Sequence, residues 1–587
     1  MTRKLDATLV LLLCLSAFAW LPLSAPGYFL HAHDAPHSLF FLEAFDEAIR
    51  DGSWWPAWGP NFAFGYGYPL WIFYAPLSYY AGELFHLLGA SITTAMKLVD
   101  LFATLGATLS MYAWARNHFG KQAAAFAAIV YTYAPYHLLD LYVRSAVAEY
   151  ATFVFFPLLF WRWEELFHRP SRGNAILAAL VTAGLVLTHQ GAAFIFATLL
   201  AAYLAFVLVR LHVASPGLST RRAGYAVCAG MLALGLSAIF WLPVLLEQKY
   251  IVVEQWTSVA YNYQKHFVYL NQFFSPFWGY GYSGEGLADG MSFQLGLIPL
   301  LGGLVALLSA APGARAVAGR RATVIFFLAA SGLIALLMSP VSGAFWQAAP
   351  VAALVQFPWR LLALSTIALA WLSGAALEAL AAGCRAPEDK PSFAVALLML
   401  IAVLAGFNYT LPQYTEYSAQ AESARAAVDF ELVSYRDRTG YMTWASAQPS
   451  TSPLVEEYKA GKPLTRAAVL RGDAQLTPLR DGGESHRVSV KSDAASSIQF
   501  RVYYFPGWTA RIDGQPAPLR PAGPQALITV DVPPGEHEVE IRLLDTNVRA
   551  FAKLLSLLSV LIGAAWLAGG AARDRRRSGQ ETVLNES

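Results

Sequence analysis

Asp34 ends the segment His31-Ala32-His33-Asp34, which stands shortly after the first long apolar run of the chain. A carboxylate where a chain has just left a bilayer can abstract a proton from an acceptor hydroxyl, which is general-base chemistry. Asp34 also reads as a helix N-cap, because Asp34-Ala35-Pro36 precedes the amphipathic run Ser38 to Arg50 and sets Pro36 in the first turn. The two roles are compatible, since a capping carboxylate is a fixed one. His31 and His33, two residues apart, point the same way in an extended segment. With Asp34 they offer a divalent metal three ligands without a defined fourth, and hydrogen-bonding histidines are the other reading.

Arg144-Ser145-Ala146-Val147-Ala148-Glu149 is a second cluster, at the end of an apolar run. Arg144 and Glu149 are costly so near hydrocarbon unless paired or functional. They can pair with each other, or Arg144 can take an anionic ligand while Glu149 serves as a metal ligand or second carboxylate. His189 sits between two apolar runs, as a turn residue or as a polar side chain facing a cavity. Gln356-Phe357-Pro358-Trp359-Arg360 opens a further run. Arg360 there either snorkels to the interface or fixes a phosphate at the mouth of a bundle beside Trp359. Trp54, Trp55, Trp58, Phe64, Tyr66, Tyr68, Trp71 and Tyr74 read mostly as an interface belt, with stacking on a sugar ring as the alternative for one or two. The Gly-Tyr-Gly-Tyr-Pro turn at 65–69 lacks the helix and glycine spacing of a phosphate loop, and the chain carries no nucleophile elbow, Walker motif or HExxH.

The elements that position these residues are membrane helices. The 587 residues are 56% hydrophobic and 14% charged, against roughly 25% charged in an average soluble domain. Apolar runs near 6–25, 93–115, 122–138, 147–167, 174–189, 191–210, 224–246, 292–311, 323–338, 360–383, 391–409 and 550–570 make twelve candidate spans. The first could instead be a cleaved signal peptide. Lys and Arg clusters fall on one side of twelve spans, including Arg3 and Lys4 at the start and Arg573 with Arg575 to Arg577 at the end. That makes both termini cytoplasmic and leaves 70–88, a thirteenth candidate by its apolar content, as a helix lying along the outer surface or dipping partly into it.

The same topology places 27–92, 139–146, the turn at 188–190, 247–291, 339–359 and 410–549 outside. Residues 1–409 then form a transmembrane domain with a first outer loop at 27–92, followed by an extracytoplasmic domain at 410–549, a last span at 550–570 and a basic cytoplasmic tail at 571–587. From about 464 onward, period-two alternation at 486–490, 498–503, 526–530 and 537–541, with turn formers at 505–507, 513–514 and 533–535, predicts an antiparallel β-sandwich. Cys14, Cys228 and Cys384 are too far apart in sequence for a disulfide framework or zinc knuckle. Without a basic run interleaved with aromatics, a nucleic-acid partner is not expected.

An acidic motif in the first outer loop, followed by Arg144-Ser-Ala-Val-Ala-Glu149, resembles the layout of the GT-C superfamily of membrane glycosyltransferases, which use polyprenyl-phosphate sugars. The His-Asp-Ala-Pro start, the block Phe-Gly-Tyr-Gly-Tyr-Pro-Leu…Phe-Tyr-Ala-Pro-Leu-Ser-Tyr-Tyr (64–80), Arg-Ser-Ala-Val-Ala-Glu (144–149), Gln-Phe-Pro-Trp-Arg (356–360) and the Tyr-Phe-Pro-Gly-Trp…Asp-Gly tail (504–514) are similar to a bacterial group labelled 6-pyruvoyl-tetrahydropterin synthase-related, with a YfhO-like tail. A pterin synthase is a small soluble enzyme with a three-histidine zinc site, so the label does not carry its activity to this chain. The GT-C resemblance implies that Asp34 is a base or metal-linked acid, that Glu149 is a second acidic group, and that Arg144 matches the arginine opening that motif. The chain departs from the pattern in having His-x-His-Asp and no Asp-x-Asp in the first loop, which leaves a divalent metal at His31, His33 and Asp34 and the identity of the acceptor open.

The expected protein is thus an α-helical polytopic membrane protein of GT-C-like layout, in a bacterial plasma membrane, with a C-terminal antiparallel β-sandwich. The expected activity moves a sugar from a polyprenyl-phosphate donor in the lipid bilayer to a glycan, lipid or protein acceptor outside. Asp34 and Glu149 are its catalytic candidates, and Arg144, Arg360, His189, His33 and Trp359 its substrate- or phosphate-binding candidates. The rival readings are a non-catalytic protein for surface-polysaccharide assembly and a lipid-linked glycan transporter.

Overall fold

The computed structural model describes residues 6–585 apart from 30, 257–260, 289, 312–319, 382–391, 416–419 and 434–441. Cys384 lies outside the described residues. The rest is a mostly helical membrane protein with β-sheets near its C-terminus.

Seven of the twelve apolar runs are helices long and apolar enough to cross a bilayer: Ala7–Ser24, Ile92–Ala115, Gln190–Ala214, Arg321–Met338, Pro358–Ala381, Phe393–Thr410 and Asn547–Gly569. The run at 224–246 is a pair of helices, Pro216–Leu236 and Ala238–Tyr250, bent by 69° at Ser237. The other four are shorter or interrupted. Arg172–Thr188 has 17 residues and Leu297–Ser309 has 13. The run at 122–138 is helical over Lys121–Thr132 and again over Pro135–Leu139, the break falling before Pro135, whose ring disfavours helical backbone at the preceding residue. The run at 147–167 divides into Val147–Ala151, a 3-10 turn and Phe155–His168.

Pro358–Ala381 is the hub, with 94% of its apolar window buried, against 22–33% for most of the other long helices. Its small residues allow that approach. A Cβ on Gly374 would touch Phe119 and Ala127, and Ser373 lies against Gly302 on Leu297–Ser309. Side-chain caps fix several helix starts. Asp6 accepts from the Thr8 amide at 3.1 Å, and Ser91 from the Thr94 amide at 3.2 Å. Residues 70–88 form two short helices, Leu70–Phe73 and Leu77–Leu87, parted at Tyr74–Pro76. At about 1.5 Å per residue neither reaches across a bilayer core of about 30 Å.

All four alternating segments fall in strands of two antiparallel sheets, save Ala526, which ends the turn before Leu527–Val532. One runs Ala467–Arg471, Ser496–Tyr503, Leu527–Val532, Leu519–Ala522 in spatial order; the other runs Gln475–Asp481, Ser485–Ser492, Gly535–Leu543, Trp508–Ile512, Gln515–Ala517. Val488, Val490, Ile498, Phe500, Val502, Val539 and Ile541 are buried in one core, as alternation demands. The Asp513-Gly514 turn has positive φ at both residues and joins Ile512 to Gln515, a two-residue hairpin of the kind that matches strand twist.

The aromatics of the first loop depart from the expected interface belt. Trp58, Phe64, Tyr66, Tyr68 and Trp71 are buried. Trp58 meets Trp508 edge-on at 5.5 Å and Tyr66 meets Tyr503 at 5.5 Å. The Tyr503 amide donates to the Tyr66 carbonyl at 3.1 Å, and the Glu484 carboxylate accepts from the amides of Ala57 and Trp58. Gly67 has φ +71, and a Cβ there would lie 2.1 Å from Trp58 Nε1. The sandwich thus covers rings that sequence composition assigned to lipid, and Trp54 alone of the eight stays exposed.

Candidate functional site

Asp34 reaches its place through the backbone. The amide of His33 donates to the Val143 carbonyl at 2.9 Å and that of Asp34 to the Arg144 carbonyl at 2.8 Å. Ser38 Oγ then donates to the Ser145 carbonyl at 3.2 Å. The start of helix Ala35–Arg50 is thereby laid along the turn 143–145. Pro36 occupies the first turn as expected, but the Asp34 side chain makes no capping hydrogen bond. Among the described residues the Asp34 carboxylate has neither a hydrogen-bond nor an ion-pair partner, and it is only half-buried. Its charge is felt at His33, Tyr74, Asp140 and Tyr282.

The two histidines divide. His31 is exposed, its ring 5.9 Å from that of Tyr280. His33 stacks on Tyr282 at 4.3 Å with its Nε2 3.1 Å from the Tyr280 carbonyl. Burial holds the His33 imidazole below its ordinary range against the opposing pull of Asp34, so it is neutral near pH 7. Among the described residues no three His, Cys, Asp or Glu side chains are grouped to hold a metal. The set His31, His33 and Asp34 is therefore not assembled here, because His33 turns to the Tyr280 carbonyl and His31 to solvent.

Arg144 and Glu149 pair, as one sequence reading had it, within a larger cluster. Residues Asp140–Arg144 form a π-helical turn ended by Ser145 in left-handed backbone, φ +49. Such insertions recur where side chains are re-aimed. The turn brings Asp140, four residues before Arg144, against its guanidinium. Arg144 also bonds Glu149 at 2.9 Å and Tyr136 Oη at 3.3 Å, and lies 4.9 Å from the Trp359 ring. Glu149 takes a further bond from Tyr136 at 2.9 Å, and Arg360 Nε lies 3.4 Å from its second oxygen. Both oxygens of Glu149 are thus engaged. Arg360 donates to Gln356 Oε1 at 2.8 Å and to the Val355 carbonyl at 3.3 Å, while its Nε has no hydrogen-bond partner. Gln356 has φ +65, a conformation costly for a residue with a side chain.

His189 caps helix Gln190–Ala214, accepting from the Ala192 amide at 2.9 Å, and its ring is 6.3 Å from Tyr74. Trp359 is buried and donates to Ser283 Oγ at 3.0 Å. Two parts of the site escaped the sequence reading. Asp140 was visible as an acid one helical turn before Arg144. The strap Gly279-Tyr280-Gly281-Tyr282-Ser283, which joins His33 to Trp359, repeats the Gly-Tyr-Gly-Tyr of residues 65–68.

Residues 71–411, more than half of the chain, match the model of a membrane-protein family described as 6-pyruvoyl-tetrahydropterin synthase related domain. The chain belongs to that family. Its family-matching region holds Arg144, Glu149, His189, Trp359 and Arg360, whereas Asp34 precedes it and the sandwich follows it. This member of the pterin synthase-related family is 23% identical over 207 residues to an uncharacterized protein of Lactococcus lactis subsp. cremoris, a match covering 34% of this chain and about a third of that relative's length. Among solved structures it is similar to arabinofuranosyltransferase AftD from Mycobacteria, with TM-score 0.40, 15% identity, 68% of this chain and 26% of that one. It is also similar to ArnT from Cupriavidus metallidurans bound to undecaprenyl phosphate, with TM-score 0.29, 14% identity, 64% of this chain and 78% of that one.

Proposed function

We propose that this membrane protein is an inverting glycosyltransferase that moves a sugar from a polyprenyl-phosphate donor to an acceptor hydroxyl on the extracytoplasmic side. The observation that carries the reading is an unpaired Asp34 carboxylate pinned by backbone hydrogen bonds beside a buried Arg144–Asp140–Glu149–Arg360 cluster. A base needs a free lone pair and a defined place; the Asp34 carboxylate has the first, and the backbone hydrogen bonds at His33 and Asp34 fix the segment that carries it. His33, neutral near pH 7, leaves the negative charge of Asp34 unquenched.

In the reaction, the acceptor oxygen attacks the anomeric carbon as Asp34 takes the hydroxyl proton. The new carbon–oxygen bond forms while the bond from the anomeric carbon to the phosphate oxygen breaks, its electron pair leaving with polyprenyl phosphate. Arg360, whose side chain is 15% exposed where that of Arg144 is 5%, is the cation assigned to that phosphate. Arg144 is already satisfied by two carboxylates and serves to position Glu149, which in turn orients Arg360. Glu149 is therefore a positioning residue in this scheme, and Trp359 supports Arg144 from its ring face.

The test compares the surface glycans of a strain lacking the protein with those of strains carrying wild type or Asp34→Asn at equal expression. General-base loss costs about 10²–10⁴-fold in rate, so Asp34→Asn should reproduce the deletion. Full complementation by Asp34→Asn, or identical glycans in deletion and wild type, refutes the reading.

Transport of a lipid-linked glycan keeps one observation in its favour. Asp100 in helix Ile92–Ala115 is buried with both carboxylate oxygens unpartnered among the described residues, and an ionisable group at such depth is a functional candidate by default. A transporter would tolerate Asp34→Asn and fail with Asp100→Asn.

A further inference from the structure

We propose that the open face of Tyr282 is a stacking platform for a sugar ring of the acceptor, so that the acceptor is a carbohydrate; this rests on the transferase reading above. Tyr282 is 73% exposed although one face of its ring lies on His33, 4.3 Å away and 27° from parallel. The opposite face is left to that exposure, and the ring lies within electrostatic reach of Asp34, the residue after His33. A pyranose has an apolar face of C–H bonds that suits the electron-rich face of an aromatic ring, as edge-on aromatic hydrogens do. Its hydroxyls would then stand at the ring's margin, where the base waits. Because Asp34 takes the proton of the acceptor, the group resting beside it is the acceptor and not the donor.

The platform is preorganised, which is what separates it from an incidental surface tyrosine. The strap is closed by a bridge between Tyr280 and Met291 and by the Gly281 amide donating to the Gly290 carbonyl at 2.7 Å. A Cβ on Gly290 would lie 2.0 Å from the Tyr282 carbonyl, so the two chains approach as only glycine permits. On one side the Tyr280 carbonyl is bonded by His33, and on the other Ser283 Oγ is bonded by Trp359 and His266. The ring is thereby tied to both the Asp34 segment and the arginine cluster.

The test is binding of the full-length protein in detergent to a printed array of bacterial surface and common oligosaccharides. Wild type and Tyr282→Phe should bind the same printed glycans, and Tyr282→Ala should bind them about tenfold more weakly while unfolding together with the wild type. Equal binding by Tyr282→Ala, or no printed glycan bound by the wild type, overturns the proposal. If Tyr282→Ala weakens binding as expected while Asp34→Asn complements fully, the transferase reading fails, and with it the acceptor role of the bound sugar, while the stacking of a sugar on Tyr282 stands.

Discussion

Replacing Arg144 by Met tests whether the buried cluster is one charge-balanced unit. Two guanidinium groups face two carboxylates, and the side chains of Arg144, Asp140 and Glu149 are 5%, 0% and 6% exposed. With Arg144 gone, Asp140 loses its ion-pair partner and Glu149 keeps only Arg360 at 3.4 Å. Leaving a buried charge unpaired costs about 3–5 kcal/mol, and no discount for solvent applies at these exposures. Asp140→Asn by itself removes one charged hydrogen bond and should cost about 1.5–3 kcal/mol. Combining the two restores balance, with Glu149 against Arg360. The double variant should accordingly be more stable than Arg144→Met, with a coupling of about 1–3 kcal/mol. Equilibrium denaturation in micelles, followed by tryptophan fluorescence for all four proteins, measures this. Additive losses in the double variant would refute the shared-charge argument and return Asp140 to an uncoupled role.

Two further expectations concern the union of the first loop with the sandwich. Gly67→Ala must displace Trp58 from its edge contact with Trp508 as well as adopt left-handed backbone. It should cost about 3 kcal/mol or more, whereas Gly52→Ala, also at positive φ but with open space around it, should cost about 1 kcal/mol; thermal unfolding of the two variants checks the difference. Burial and the neighbouring charge of Glu47 push the Glu43 carboxyl well above its ordinary range, with Asn61 bonded to both acids. A raised carboxyl pKa adds stability below the unfolded value, and that stability is lost as pH rises through the folded one. Glu43→Gln should match the wild type near about pH 4 and be the more stable of the two at alkaline pH, as denaturation at both values would show; a variant less stable at alkaline pH would contradict the sign.

Sequence periodicity located what depends on local repetition. The alternation at 486–490, 498–503, 526–530 and 537–541 lies inside strands but for Ala526, and Asp513-Gly514 makes the tight turn its residues favour. Apolar length was a poorer guide to the helices, because the breaks at Ala134-Pro135 and at Ser145 come from backbone geometry that an apolar composition hides. The pairing of Arg144 with Glu149 was open to sequence reasoning, since neither is stable alone near hydrocarbon. Asp140 is less legible, because its spacing signals a partner only when 140–144 is helical. The cover over Trp58 and Tyr66 was not legible, since it comes from strands more than four hundred residues away in the chain.

The two Gly-Tyr-Gly-Tyr segments show how far context overrides such a motif. At 65–68 the glycines let the backbone close on Trp58 and Tyr458, and both tyrosines are buried, Tyr66 against Tyr503 of the sandwich and Tyr68 against Phe62 of the loop. At 279–282 the same residues close a strap on Gly290, and Tyr282 stays largely open. Fully burying an aromatic side chain of this size contributes about 1.5–3 kcal/mol, and the strap forgoes most of it. It is held instead by hydrogen bonds to His33, Trp359 and His266, groups that belong to the site or touch it. A segment bonded on one side to His33 and on the other to Trp359, with its largest ring left unburied between them, suits contact with something that comes and goes.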